Sequence, residues 1–145
     1  MPNIEAVDRN AATSRSVVEL RVRAAATQLS IIRAVAAAIA GQEDFDLDSI
    51  ADVRLAIDEA CSHLILRAVD GASLVCRFQP SETDLNVSIS APTSPGEAPS
   101  QRSFGWHVLN ALTDSIELTR DVDPDDPTGE ITVLTFTKNK QGSDA

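Results

Sequence analysis

Hydrophobic positions three and four residues apart run through residues 49–68: Ile50, Val53, Ile57, Cys61, Leu64 and Ala68 share one stripe. That spacing predicts a helix with one buried face. Asp48 or Ser49 offers a capping oxygen, Asp52 puts negative charge in the first turn, and Gly71 stands just beyond the far end, so the expected limits are Ser49 and Ala68. Glu59 and His63 lie on a different stripe, four residues apart, where a helix brings side chains together on one face. A carboxylate and an imidazole are thereby presented side by side.

The rest of the chain alternates two periodicities. Val18, Leu20 and Val22 alternate with Glu19, Arg21 and Arg23, the mark of a strand with one wet face. Thr27 is placed to cap a second helix in which Leu29, Ile32, Ala36 and Ile39 face inward and Gly41 closes the end. The acidic stretch 43–46 connects it to the central helix. Residues 74–78 and 85–89 read as two strands joined by a polar turn at 80–84, and a loop with three prolines follows over 91–102. Phe104, Val108 and Leu112 predict a short helix within 103–113 with Ser103 as its cap. Ile116 and Leu118 open another strand, residues 121–129 an acidic turn, and 131–137 the last strand.

The order strand, helix, helix, strand, strand, helix, strand, strand implies an α+β fold, a two-layer α/β sandwich with helices on one face of a mostly antiparallel sheet. Residues 1–15 are polar and non-periodic and read as a disordered lead-in, 16–138 as one domain, and 139–145 as a polar tail. Hydrophobic residues at 43% and charged ones at 23% suit a globular chain and leave no stretch apolar enough to span a membrane. Asp8, Arg9 and Asn10 stand where a signal peptide would need apolar residues. A net charge of −10 without a basic cluster disfavours direct nucleic-acid binding, which needs a cationic footprint, and favours a protein partner. Cys61 and Cys76 lack a CxxC spacing; they read as small buried hydrophobes in a reducing cytoplasm, with a redox-sensitive pair as the alternative. Glu59 and His63 are open to three readings: an exposed helix pair, a phosphotransfer remnant or a metal site, the last short of the three protein ligands that zinc takes. Arg33, amid alanine and apolar neighbours, is either a solvated helix residue or the anchor of an interface.

The segment Ile57-Asp58-Glu59-Ala60-Cys61-Ser62-His63-Leu64 resembles the N-box helix of the GHKL ATPases, and in particular that of the RsbW-type anti-sigma factors, which carry Glu-Ala-Cys-Thr-Asn-Ala. The run from Ser103 through Gly105 and Leu109 to Ile116 is similar to the family's glycine-containing helix start and following strand. Gly129-Glu130-Ile131-Thr132-Val133 is similar to its terminal Gly-x-x-Val strand. The resemblance covers about residues 17–138. It implies the GHKL fold, a homodimer, sequestration of a sigma factor, release by an anti-anti-sigma protein of the STAS type and, in many relatives, serine phosphorylation of that protein with magnesium ATP. Glu59 matches the N-box glutamate that acts as base toward the attacking hydroxyl. Arg33 matches the first-helix arginine through which the sporulation relative contacts its alternative partners.

Three departures bear on the nucleotide. His63 stands where the family has a magnesium-holding asparagine, and Mg²⁺ prefers hard oxygen ligands to imidazole. After Ala91 the chain reads Pro92-Thr93-Ser94-Pro95-Gly96 in place of Asp-x-Gly-x-Gly, so the adenine-reading aspartate is missing. Gly105 alone remains of the second glycine pair, with Ser103 at the first position. ATP and magnesium binding are therefore expected to be weak or absent, with His63 and Gly105 as what remains of the cofactor site.

Overall fold

The computed structural model describes residues 16–95 and 104–140. The lead-in, the greater part of the proline-containing loop with Gly96, the Ser103 cap and the tail beyond Lys140 lie outside them. The strands are β1 (Val18–Arg23), β2 (Ser73–Pro80), β3 (Asp84–Thr93), β4 (Ser115–Asp123) and β5 (Asp126–Asn139). The helices are α1 (Leu29–Gln42), α2 (Leu47–Arg67) and α3 (Phe104–Leu112), with a short 3₁₀ turn at Ala26–Gln28. The strands form one sheet in the order β1-β2-β3-β5-β4, and every pairing is antiparallel. The chain leaves β3, passes through α3, lays β4 at the edge and returns with β5 between β3 and β4.

One face of this sheet is apolar and covered. Leu74, Cys76 and Phe78 of β2, Leu85, Val87 and Ile89 of β3, and Leu134 and Phe136 of β5 are buried there. They pack with Ile32, Ala36 and Ile39 of α1, Val53, Ile57, Cys61 and Leu64 of α2, and Leu109 of α3 in one continuous core. Each fully buried Ile, Leu or Val contributes roughly 1.5–3 kcal/mol by leaving water, so the central stripe of α2 is the largest single helical contribution. The opposite face is polar along its centre. Ser88 and Thr135 share a hydrogen bond of 3.1 Å, and Asn86 Nδ2 donates to Thr137 Oγ1 at 3.0 Å. This is the two-layer sandwich that the element order implies.

Helix ends depart from expectation, each for a local reason. Thr27 lies in the 3₁₀ turn and does not cap α1, whose N-cap is Gln28 without a side-chain bond. Gly41 does not close α1 either. The helix runs through Gln42, and the left-handed residue is Asp44 at φ 66°. The Asp44 N–H bonds the Gly41 carbonyl at 3.2 Å and the Phe45 N–H bonds the Ala40 carbonyl at 3.0 Å, the double closure of a Schellman motif. Phe45, only 5% exposed, packs back onto the core, and that contact outweighs the cost of a non-glycine residue at positive φ. The cap of α2 is Asp46, not Asp48 or Ser49: its Oδ1 accepts the Ser49 N–H at 2.8 Å, so the helix starts at Leu47. Ala68 is extended and pairs with Thr93, and Gly71 takes φ 76° in the turn after it.

The stretch 121–129, expected as an acidic turn, is mostly strand. β4 continues to Asp123 and β5 begins at Asp126, leaving Pro124 and Asp125 as the turn. Its acidic residues satisfy the tight hairpin themselves: Asp123 Oδ1 accepts the Asp125 N–H at 2.9 Å, and Asp126 Oδ1 accepts the Thr128 hydroxyl and N–H. Those two bonds hold the Asp126 carboxyl below its ordinary pKa.

Candidate functional site

Glu59 and His63 come to one place because α2 is long, regular and buried on the neighbouring stripe. His63 Nε2 stands 3.5 Å from Glu59 Oε2, with the two side chains 23% and 29% exposed. They are not the freely exposed pair that helix spacing allows. The reason is α3, which crosses over them at Gly105. A Cβ built on Gly105 would lie 1.9 Å from His63 Nε2, 2.8 Å from its Cε1 and 2.7 Å from Glu59 Oε2. Real atoms do not approach so closely. Glycine at 105 is thus required for the helices to meet with the imidazole between them. Glu59, His63 and Gly105, 46 residues apart in sequence at the widest, form one cluster, and the ring fills the space that the missing Cβ leaves.

Arg33 lies elsewhere. From α1 its Nη1 reaches Asp58 Oδ2 on α2 at 3.3 Å, the two side chains being 38% and 31% exposed. An open cleft of about 290 Å³ runs along this outer face, lined by Arg33, Ala51, Arg54, Leu55 and Asp58. Leu55 is 54% exposed beside it. Asp58 Oδ1 is buried without a hydrogen-bond partner, so the carboxylate keeps one oxygen for Arg33 and holds the other dry at a cost. Sequence reasoning singled out Arg33 but missed Asp58 and Arg54. Their signal was present in the pattern: Ala51, Arg54, Leu55 and Asp58 repeat at three and four residues on the polar side of α2.

Two further pairs form inside the fold, the first of them not foreseen from the sequence. Thr93 and Thr132 share a buried hydrogen bond of 2.7 Å across β3 and β5, at the end of the sheet where β3 leads into the loop. Cys61 of α2 and Cys76 of β2 are both free and fully buried, and they face each other between helix and sheet. The hydrogen bond between them and their burial push the Cys61 thiol far above its ordinary range. A thiol so held is a core residue and a poor nucleophile.

Residues 22–138 match the model of the histidine kinase-like ATPase domain. The chain is 36% identical over 126 residues to the anti-sigma-F factor RsbW of Mycobacterium tuberculosis, covering 87% of this chain and 75% of that relative. The chain belongs to the RsbW branch of the histidine kinase-like ATPases. A second relative, the serine-protein kinase RsbW of Bacillus thuringiensis, is 25% identical, with 72% of this chain and 78% of the relative covered. In structure the chain is similar to the RsbU and RsbW domains of Rv1364c from Mycobacterium tuberculosis, with a TM-score of 0.54 and 15% identity. The match takes in 85% of this chain and 33% of that longer one, and it supports the fold alone.

Membership of this family implies ATP with magnesium. Three features of the described residues fit that site poorly. The only carboxylate in the cluster is Glu59, its neighbour is an imidazole, and no group of three or more His, Cys, Asp or Glu side chains able to hold a metal occurs among the described residues. The space beside the Gly105 backbone is filled by the His63 ring. β3 ends in Ala91, Pro92 and Thr93, with Ala91 buried and the Thr93 hydroxyl committed to Thr132.

Proposed function

We propose that this chain is an anti-sigma factor: it binds and sequesters an alternative RNA polymerase sigma factor in the cytoplasm, and an anti-anti-sigma protein of the STAS type releases it. The observation that carries this reading is the 36% identity to an anti-sigma-F factor over nearly the whole domain. Further support comes from the contrast between the filled cluster at Gly105 and the open cleft at Arg33. The binding unit is residues 16–138, acting as a homodimer, and Arg33 anchors the partner.

Arginine suits that role because its planar guanidinium offers several donors at little cost in ordering, and here Asp58 already orients it. The ion pair itself adds little to stability, since half-exposed pairs are worth about 0–1 kcal/mol. Its use is in presentation. Leu55 and Ala51 supply apolar surface next to the charge, the combination that interface anchors need. ATP is bound weakly or not at all, and partner binding proceeds without it.

A second reading, an active serine-protein kinase acting on the anti-anti-sigma protein, draws support from Glu59 and from the serine-protein kinase RsbW relatives. In that case Glu59 is the base that accepts the serine proton. Two assays decide between them: recovery of a sigma factor with the tagged protein from its native host, and transfer of labelled phosphate from ATP to a STAS-type protein. Sigma factor recovered without phosphate transfer supports the first reading. Transfer that Glu59→Gln abolishes supports the second.

A further inference from the structure

The chain has two cysteines, and the fold brings them together. Cys61 sits on the buried stripe of α2 between Ile57 and Leu64, and Cys76 lies within β2, paired to Leu20 on β1 and to Ile89 on β3. Both are fully buried, both are free, and they share a hydrogen bond across the seam between helix and sheet.

A third group joins them to the surface. Asp58 stands one turn before Cys61 on α2, within electrostatic reach of the thiol, and its Oδ1 is buried without a hydrogen-bond partner. Its Oδ2 takes the Arg33 guanidinium at 3.3 Å, and its side chain lines the open cleft. The order Arg33, Asp58, Cys61, Cys76 thus runs from the cleft into the core. Within the pair the roles differ. The Cys61 thiol is kept protonated by its hydrogen bond to Cys76 first, then by burial and by the charges on Cys76 and Asp58. Accepting that bond lowers the pKa of Cys76, so Cys76 supplies the thiolate and Cys61 the second sulfur.

We propose that these two cysteines form a redox switch: hydrogen peroxide joins them in a reversible disulfide, and the joined chain holds its protein partner more weakly at the Arg33 cleft. The second clause rests on the anti-sigma reading given above. The Cys76 sulfur attacks one peroxide oxygen and the O–O bond breaks, leaving a sulfenic acid on Cys76 and, with the Cys76 proton, one water. The Cys61 sulfur then attacks the Cys76 sulfur, the S–O bond breaks, and the hydroxide leaves with the Cys61 proton as a second water. Two thiols are oxidised and one peroxide is reduced. Hydrogen peroxide is small enough to enter as water does, through a local opening beside the buried Asp58 oxygen. The covalent bond draws the sulfurs closer than the hydrogen bond leaves them and pulls α2 toward β2. Arg33 is carried by α1, so Asp58 shifts relative to it, and a contact already 3.3 Å long has little distance to lose before it ceases to be a hydrogen bond. A reducing compartment returns the pair to thiols, which suits a transient signal.

The test uses the full chain, reduced with dithiothreitol, cleared of it and exposed to hydrogen peroxide, with circular dichroism to verify folding. Free thiols are alkylated and the unreduced chain is cut with trypsin. Arg67 lies between the two cysteines, so a bridge joins peptides 55–67 and 68–77. The proposal expects that linked pair by mass spectrometry, its loss on adding dithiothreitol, and its absence from Cys76→Ala. Partner affinity, titrated with the sigma factor recovered with the chain, should fall about tenfold on oxidation, return on reduction and stay constant with peroxide in Cys76→Ala. Should Cys76→Ala fail to fold, Cys61→Ala takes its place. Cysteines that stay free, or pass to sulfinic acid without a bridge, would overturn the proposal. A bridge that leaves affinity unchanged would overturn its coupling to the Arg33 cleft. A reduced chain that binds no sigma factor would overturn the anti-sigma reading alone, since the bridge is read in the peptides.

Discussion

The two places where α2 meets its helical neighbours are built on opposite terms. At the crossing with α3, Glu59, His63 and Gly105 close on one another until the space left by a missing Cβ is filled by an imidazole. Along the border with α1, Arg33 and Asp58 pair across an open cleft with an exposed leucine beside them. In a fold whose family name speaks of ATP, the filled crossing lies at the matching N-box residue and the vacant cleft lies on the outer surface. On the function proposed above, the domain keeps the N-box pair as packing and binds its partner at the surface that holds a well-oriented charge.

The strongest way to break this comparison is at the open cleft. Arg33→Glu should weaken partner binding by about 2 kcal/mol or more, because it removes the anchor and sets a second carboxylate beside Asp58. Unchanged affinity in a folded variant, read by calorimetry, would take Arg33 out of the interface.

At the crossing the expected effect falls on stability. Gly105→Ala places a methyl within the His63 ring and should cost about 1–3 kcal/mol in urea unfolding, as overpacking does. Adding His63→Ala should recover much of that loss, a coupling expected only for groups in contact. Additive losses would show that the two helices do not meet there. Neither change should alter partner affinity.

Asp58→Ala sharpens the cleft side. Its stability change should stay within about 1 kcal/mol, since the ion pair is partly exposed. Partner affinity should fall by about 1 kcal/mol as Arg33 loses its orientation, and Asp58→Asn should fall less if the amide oxygen keeps the bond. An effect on stability with none on binding would make the pair a packing feature.

The smallest effect is expected from His63→Asn. It supplies one hard oxygen but neither the aspartate absent after Ala91 nor the missing glycine, so ATP binding should gain slight magnesium dependence without phosphotransfer. Robust kinase activity in that variant would show that His63 alone holds the site closed.

Much of the fold could be read from the sequence because its signals are periodic. The α2 stripe and the alternation in β1 and β3 each repeat often enough to fix a face, and the cluster of Val53, Ile57, Cys61 and Leu64 is buried as the spacing implies. The ends were less legible. Asp46 beat two adjacent caps, and Asp44 took a left-handed turn beside an available glycine, because Phe45 had a place in the core to reach. The 121–129 stretch looked like a turn by composition, yet its carboxylates cap the hairpin from within. At the candidate site Glu59 and His63 were legible as a helical pair. That Gly105 faces them depends on how α3 crosses α2, a fact of tertiary packing that no local pattern carries. The Arg33–Asp58 pair was hidden for the same reason, being 25 residues apart on two helices.

The central claim is that partner binding belongs to the open cleft and is independent of nucleotide. It is tested most directly by titrating the sigma factor recovered with the chain into the purified protein, with Mg²⁺ and ATP present and with both removed. The account predicts the same affinity in the two conditions and a loss of both with Arg33→Glu. Binding that appears only with Mg²⁺ and ATP, and survives Arg33→Glu, would contradict it.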